Sequence, residues 1–385
     1  MSSLSSSRPV RALRSRTSSR LCWMISSSVV TASRGRQRSV VVIVGLIAGV
    51  MLVASTASAI ASDGATIGLA QPQTQGDASG PPPAAAPPAS SGDEAPPAGA
   101  DPEQGAAAER DPRQSLTLFM MACAVVSLAL LSGGRLLNRK NLRGSLDRRT
   151  SAAAAVWVMG ALGLWAVWAL SGGALVLYTG GMTDASDTLR RVALIGLGAH
   201  AVALVVGLLY IRLAFHKGRD NPFTARLTDV VVGVVGLVLA FPIVYLIGTA
   251  AYSLASRIAA ARGAEAPDIM GHTTLQALTA TDTTTWHWLV ILDVVLLAPL
   301  IEEIVYRGFL QTGLVRLMRS PLLGIALTSV IFSLMHAGSV PVYTLATLFA
   351  VSIGFGVVFE RTGRIGAPIV MHAAFNALNL WIAMR

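Results

Sequence analysis

The chain carries little charge for its length. Of its 385 residues, 13% are Asp, Glu, Lys or Arg, whereas 53% are hydrophobic. Soluble proteins carry about 25% charged residues, so this composition is typical of a protein that crosses a membrane several times. The net charge of +10 does not indicate nucleic-acid binding. The basic residues cluster in short segments between apolar runs, as they do in cytoplasmic loops.

Cysteine and the familiar nucleophile motifs are also scarce. Cys22 and Cys123 are too few and too far apart for a disulfide framework or a cysteine-based zinc site. The sequence contains no G-x-S-x-G, no H-E-x-x-H and no Cys–His arrangement that would indicate an activated nucleophile. Water is therefore the natural nucleophile for any hydrolytic reaction of this chain.

The N-terminal part of the chain has two segments of unusual composition. The first 38 residues contain no acidic residue and many arginines, and an apolar run follows that ends near Ala57-Ser58-Ala59. This layout predicts a signal peptide or a membrane anchor within residues 1–61. Residues 62–114 are rich in Pro, Ala and Gly and have few large apolar side chains, which predicts a disordered linker.

The rest of the chain predicts an all-α fold, a polytopic bundle of about eight transmembrane helices. Residues 115–285 form the N-terminal helices and an external connection, and residues 286–385 form a C-terminal membrane core. Basic loops alternate with an acidic one, which indicates a multi-pass protein of a bacterial-type cell membrane. Each expected span is near the ~20 residues that a crossing helix needs: 115–133, 152–178, 190–213, 229–252, 286–307, 321–337, 342–360 and 366–384.

Two adjacent glutamates and an arginine stand at the end of the fifth apolar run. An ionisable residue at membrane depth is costly and indicates a functional site. Glu303 and Arg307 are four residues apart and share a helix face, so they can form an ion pair. Glu302 is rotated by about 100° from Glu303 around the helix axis, so the two carboxylates face different neighbours and cannot have the same role. Pro299, which lacks a backbone N–H, is expected to disturb the helix beside them.

Three further polar residues are candidates for the same site. Counted along two helices from the break at residues 319–321, Glu302 lies at about 25 Å and His336 at about 22 Å, hence at one level. A carboxylate and an imidazole that meet there can hold a water and take its proton. His372 and Asn376 are four apart and present donors in one direction, which suits an oxyanion.

A metal is the alternative to a metal-free water site. Glu302, His336 and His372 match the residue types of a zinc triad with an open position for water. The residue types leave a zinc cofactor and a metal-independent mechanism equally open.

Other polar residues in the apolar runs have a structural interpretation. His200 and His287 are each expected to bond a neighbouring backbone carbonyl. Asp293 precedes Glu302 by nine residues, about 180° round the helix, and is expected to face elsewhere. His216 and His272 are loop residues and indicate nothing.

Three motifs, in this order, resemble those of the CPBP intramembrane proteases, the group with the CAAX prenyl proteases and the bacteriocin-processing or immunity proteins. "EEIVYRG" is similar to the E-E-x-x-x-R motif, "FSLMH" to F-x-x-x-H and "HAAFN" to H-x-x-x-N. The resemblance covers about residues 286–384 and implies an endopeptidase that cleaves a peptide bond near the membrane surface. It implies that Glu302 and His336 activate the water, that His372 and Asn376 stabilise the oxyanion, and that Glu303 and Arg307 support the site.

Two other functions fit part of the pattern. A proton-coupled transporter also uses buried Glu–His pairs, but transporters commonly show internal repeats, and none stands out here. A non-catalytic immunity or scaffold protein could use the same bundle. The partners expected for a peptidase are the lipid bilayer and a peptide or protein substrate, cut at a C-terminal or membrane-proximal segment. No nucleic acid is expected.

Overall fold

The computed structural model describes residues 112–134, 141–147, 152–180, 187–215, 221–267 and 284–384, with single positions 138, 182, 274, 277 and 278. The expected signal or anchor segment and nearly all of the expected linker lie outside these residues, as do His216 and His272. Helix accounts for 84% of the described residues, and no strand occurs among them. The expected all-α fold is confirmed.

The described part of the chain contains nine helices, and eight of them correspond to the predicted spans. They are α1 (Pro112–Gly133), the short α2 (Gly144–Asp147), α3 (Ala154–Tyr178), α4 (Thr188–Phe215), α5 (Thr228–Ala261), α6 (residues 285–318), α7 (Pro321–Leu334), α8 (Thr344–Thr362) and α9 (Gly366–Ala383).

Five of these helices, α1, α3, α4, α5 and α8, are long and apolar enough to cross a membrane. The chain is therefore a multi-pass membrane protein, and the number of eight spans stays a prediction. Helix α7 has 14 residues and is shorter than a full span.

Helix α6 changes its hydrogen-bond pattern along its length. It runs as α-helix over Thr285–Leu292, π-helix over Asp293–Leu297, α-helix over Ala298–Glu303, π-helix over Ile304–Gln311 and α-helix over Thr312–Met318. A π turn accommodates one extra residue, and such turns are frequent at functional sites. The disturbance expected at Pro299 takes this form, since the first π segment ends two residues before it.

Helix α6 is the centre of the bundle. Residues 301–315 are all buried. The helix contacts α3 and α4 on one part of its surface and α7, α8 and α9 on others, while α5 covers α8 and α9 and contacts α1. A helix that is buried all round is a core helix. Asp293, Glu302, Glu303 and Arg307 of α6 are therefore in contact with protein rather than with lipid.

The predicted break between α6 and α7 is present. Arg319 ends α6 in the left-handed conformation, with a φ of 54°. The hydroxyl of Ser320 then accepts a hydrogen bond from the backbone N–H of Leu323, and Pro321 is the first residue of α7. Both are favoured at the start of a helix. Helix α7 folds back against α6 and brings the second motif to the first.

Candidate active site

Glu303 joins the first motif to the third. Its side chain is fully buried, and its Oε1 accepts a hydrogen bond of 2.8 Å from Nη1 of Arg307. The expected ion pair within α6 is thus present. The same oxygen lies 2.9 Å from Nδ1 of His372 on α9. An ionised carboxylate only accepts, so Nδ1 carries the proton of this bond.

Arg307 is held by three helices. Its Nη2 donates to the carbonyl oxygen of Ser352 at 3.1 Å and to the hydroxyl oxygen of the same residue at 2.6 Å. Its guanidinium carbon lies 4.9 Å from the ring centre of Phe332 and 5.1 Å from that of Phe355. Cation–π contacts of this kind stabilise a guanidinium away from water. Arg307 is therefore fixed by hydrogen bonds to α6 and α8 and by a ring of α7.

Glu302 has a different environment from Glu303. Its side chain is 10% exposed, whereas that of Glu303 is fully buried, and its Oε2, like that of Glu303, has no hydrogen-bond partner among the described residues. This oxygen lies 3.8 Å from Nε2 of His372. That distance is too long for a direct hydrogen bond but suits a bridging water. His372 thus stands between the two glutamates, bonded to Glu303 through Nδ1 and facing Glu302 through Nε2.

His336 lies just beyond the end of α7. Its Nδ1 is 2.9 Å from the carbonyl oxygen of Phe332, four residues earlier. A carbonyl only accepts, so Nδ1 carries the proton and Nε2 is left as an acceptor in the neutral ring. The ring of Phe332 contacts both motif histidines, with centres 4.8 Å from His336 and 5.8 Å from His372. In the described part of the chain, the histidine within 4.0 Å of Glu302 is His372 rather than His336.

Asn376 faces α6, as His372 does. Its Nδ2 donates to the carbonyl oxygen of Val294 at 2.8 Å. The shared face expected for His372 and Asn376 is therefore directed at the central helix. One amide hydrogen of Asn376 is engaged by the backbone, and an amide nitrogen has two.

The donor set for a zinc ion does not assemble in this arrangement. Within residues 284–384 and the other described segments, no three His, Cys, Asp or Glu side chains are grouped so that they could hold a metal. A catalytic zinc site needs three protein ligands around one point, so Glu302, His336 and His372 do not fit it here.

A polar ladder between α6 and α8 was not anticipated from the sequence. Its rungs are Arg307 to Ser352 and Gln311 to both the carbonyl of Gly356, at 3.1 Å, and the carboxylate of Glu360, at 3.0 Å. The four-residue spacing on both helices could have indicated it. Below, "polar ladder" denotes these five residues.

The two histidines with a structural interpretation have different outcomes. His287 lies with Nε2 3.2 Å from the carbonyl oxygen of Leu278, which confirms the predicted backbone contact. His200 instead contacts a carboxylate, with Nδ1 2.8 Å from Oδ1 of Asp293. The prediction for His200 was wrong because a charged acceptor on the facing helix makes a stronger hydrogen bond than a carbonyl.

Comparison with family models matches residues 284–378 to the family described as Type II CAAX prenyl endopeptidase Rce1-like. The matched segment contains all three motifs, helices α6 to α8 and most of α9. No curated protein and no solved structure matches the chain. The central helix, its two glutamates and the histidines around Phe332 thus lie in the segment that matches the Rce1-like type II CAAX prenyl endopeptidase model, in agreement with the CPBP resemblance of the motifs.

Proposed function

We propose that the protein is an intramembrane endopeptidase that hydrolyses a peptide bond with a water held beside Glu302. The observation that carries this proposal is the gap of 3.8 Å between Oε2 of Glu302 and Nε2 of His372. A water to one side of these two atoms, about 2.8 Å from each, can bond both and pass a proton to the carboxylate. The family match over residues 284–378 supports the peptidase class.

In the proposed reaction, Glu302 takes a proton from the water, and the hydroxide attacks the carbonyl carbon of the substrate. His336, whose Nε2 is an acceptor, holds the second hydrogen of the water. The free N–H of Asn376 and the Nε2–H of protonated His372 donate to the oxyanion. When the C–N bond breaks, the proton on Glu302 passes to the leaving amine nitrogen. The products are a carboxylic acid and an amine.

Glu303 and Arg307 have supporting roles in this proposal. Both side chains are fully buried. Glu303 orients His372 through Nδ1, as a carboxylate orients the histidine in other hydrolytic sites. Arg307 neutralises Glu303 and is itself fixed by Ser352.

The test is Glu302→Gln in detergent-purified protein, with fluorogenic peptides that carry prenylated or unmodified C-terminal segments. The amide keeps the volume of the carboxylate but cannot take a proton, so turnover should fall by ~10²-fold or more with folded yield unchanged. The exposed Glu265 supplies a matched control, Glu265→Gln. Cleavage by the Glu302→Gln protein at the wild-type rate would show that Glu302 is not the base.

Substitution of Glu302 by alanine separates the peptidase from a scaffold. An enzyme loses its biological function at unchanged abundance in the membrane, whereas a scaffold on the same bundle keeps it.

A further inference from the structure

A second buried acid–histidine pair lies outside the three motifs. Oδ1 of Asp293 and Nδ1 of His200 are 2.8 Å apart, and their side chains are 10% and 8% exposed. Asp293 is the first residue of the first π segment of α6, and His200 is in the middle of α4. The pair therefore ties the start of that π segment to a neighbouring helix.

Helix α4 is shaped to receive this carboxylate. Gly196 precedes His200 by one helical turn, and a Cβ built on it would lie 2.3 Å from Oδ2 of Asp293. Only glycine leaves room for such a close approach. The ring of Trp168, on α3, lies 5.1 Å from the imidazole of His200 and packs against it. Asp293 is thus fixed by a hydrogen bond to His200 and by close packing against Gly196.

The residue after Asp293 carries the link to the third motif. The N–H of Ala298 bonds the carbonyl of Asp293, five residues back, in the π pattern. One step on, the same pattern would have the carbonyl of Val294 accept from residue 299. That residue is proline, which has no N–H. The carbonyl of Val294 instead accepts from Nδ2 of Asn376 at 2.8 Å.

We infer that Asp293 and His200 are positioning residues that aim Asn376 at the reacting carbonyl. The pair fixes the π segment, the π segment and Pro299 release the carbonyl of Val294, and that carbonyl holds one amide hydrogen of Asn376. The two hydrogens of a planar amide have fixed relative directions, so anchoring one sets the direction of the other. An oxyanion donor is effective only when it is directed in advance. The inference rests on the proposed peptidase function.

The test is a double-mutant cycle between Asp293→Leu and Asn376→Ala, read as kcat per folded molecule. Leucine has no acceptor, so the π segment loses its tie to α4. A small misplacement of a catalytic group can cost ~10²-fold, and we expect a fall of 10- to 100-fold in the wild-type background. In the Asn376→Ala background the same change should alter kcat by less than about twofold. If Asp293→Leu lowered kcat by the same factor in both backgrounds, the two residues would act independently and the inference would be overturned.

Three further variants separate positioning from general support of the fold. Asp293→Asn keeps an acceptor for His200 and should restore kcat to near the wild-type value. Gly196→Ala displaces the carboxylate without removing it. It should lower kcat in the wild-type background and leave kcat nearly unchanged in the Asn376→Ala background, even if Asp293→Leu does not fold. Asp229→Leu is the control. Asp229 lies at the start of α5, and its buried carboxylate pairs with Arg364. Any effect of Asp229→Leu on kcat should be the same factor in the wild-type and Asn376→Ala backgrounds, because the two sites are independent.

A second readout keeps this inference distinct from the proposed function. The melting temperatures of the four proteins in the Asp293 and Asn376 cycle need no substrate. If the pair acts through Val294, the shift of the double variant should be smaller than the sum of the two single shifts. Absence of any peptidase activity would refute the proposed function, but the melting temperatures would still test the coupling between Asp293 and Asn376. Additive shifts would refute the coupling, whatever the activity.

Discussion

Oε1 of Glu303 lies 2.9 Å from Nδ1 of His372, across 69 residues of sequence, and joins α6 to α9. The same oxygen accepts from Arg307. Oε2 has no hydrogen-bond partner among the described residues in either glutamate, and that of Glu302 lies 3.8 Å from Nε2 of His372. Two adjacent acids thus differ through what faces them, and their substitutions should have different effects.

Glu303→Gln should destabilise the fold more than it changes the chemistry. The amide can still accept a hydrogen bond, but it leaves Arg307 buried without its counter-ion. Removing one partner of a buried pair costs about 3–5 kcal/mol, and the amide should lie at the lower end. Thermal unfolding in detergent measures this, with Glu265→Gln as the exposed control. An unchanged melting temperature with lost turnover would instead assign Glu303 to the chemistry.

Arg307→Lys should be destabilising although the charge is kept. A lysine ammonium cannot bond Glu303 and Ser352 at once in the planar geometry of a guanidinium. The comparison is Ser352→Ala, which removes only the hydroxyl acceptor of a bond to a charged group and should cost about 1.5–3 kcal/mol. We expect the lysine variant to lose at least twice as much unfolding free energy as the alanine variant. Equal losses would show that the charge, and not its geometry, stabilises the site.

Glu360→Leu should loosen the segment around α2. The carboxylate of Glu360 accepts from the backbone N–H of Ser145 at 2.9 Å and from its hydroxyl at 2.6 Å, besides Gln311 of the polar ladder. Without these bonds the segment 141–147 should open more often, and tryptic cleavage after Arg143 should be faster. Ser145→Ala loses one of the three bonds and should show a smaller increase. Cleavage at the wild-type rate in both variants would contradict this role.

Metal content separates the two forms of the site that the residue types left open. Because three ligands do not group around one point, we expect zinc in purified protein to be well below one per chain and equal in Glu302→Ala. Peptidase activity should then survive a chelator. About one zinc per chain in the wild type, lost together with activity in Glu302→Ala, would establish a metal site on Glu302, His336 and His372.

The features predicted from the sequence are those that depend on one helix at a time. Apolar runs placed eight helices to within a few residues, apart from the longer α5 and α6. The pair of Glu303 and Arg307 follows from four-residue spacing, and the break at residues 319–321 follows from its capping residues.

The features that were not predicted depend on how helices are rotated against each other. Counting residues along a helix gives a depth, so it placed His336 level with Glu302 but could not show that His372 faces that acid. The π segments add residues to the turns between Asp293 and Arg307, and angles counted for an ideal helix then drift. The partner of His200 is 93 residues away on a facing helix, where no local pattern indicates it.

The contacts of helix α6 bear on how the protein enters the membrane during synthesis. The helix carries three buried carboxylates and a buried guanidinium, and each charged residue at the centre of a helix costs about 2.5–3.5 kcal/mol on insertion. Glu303 and Arg307 pair within α6, and Asp293 pairs with His200 of the earlier α4. The remaining partners lie in α8 and α9, 45 residues after Arg307 and 69 after Glu303. A ribosome exposes α6 before it has made either of them. The bonds of Arg307 to α8 and of Glu303 to α9 can therefore form only once the last two helices have emerged, so we expect the C-terminal third to settle in the bilayer as one unit.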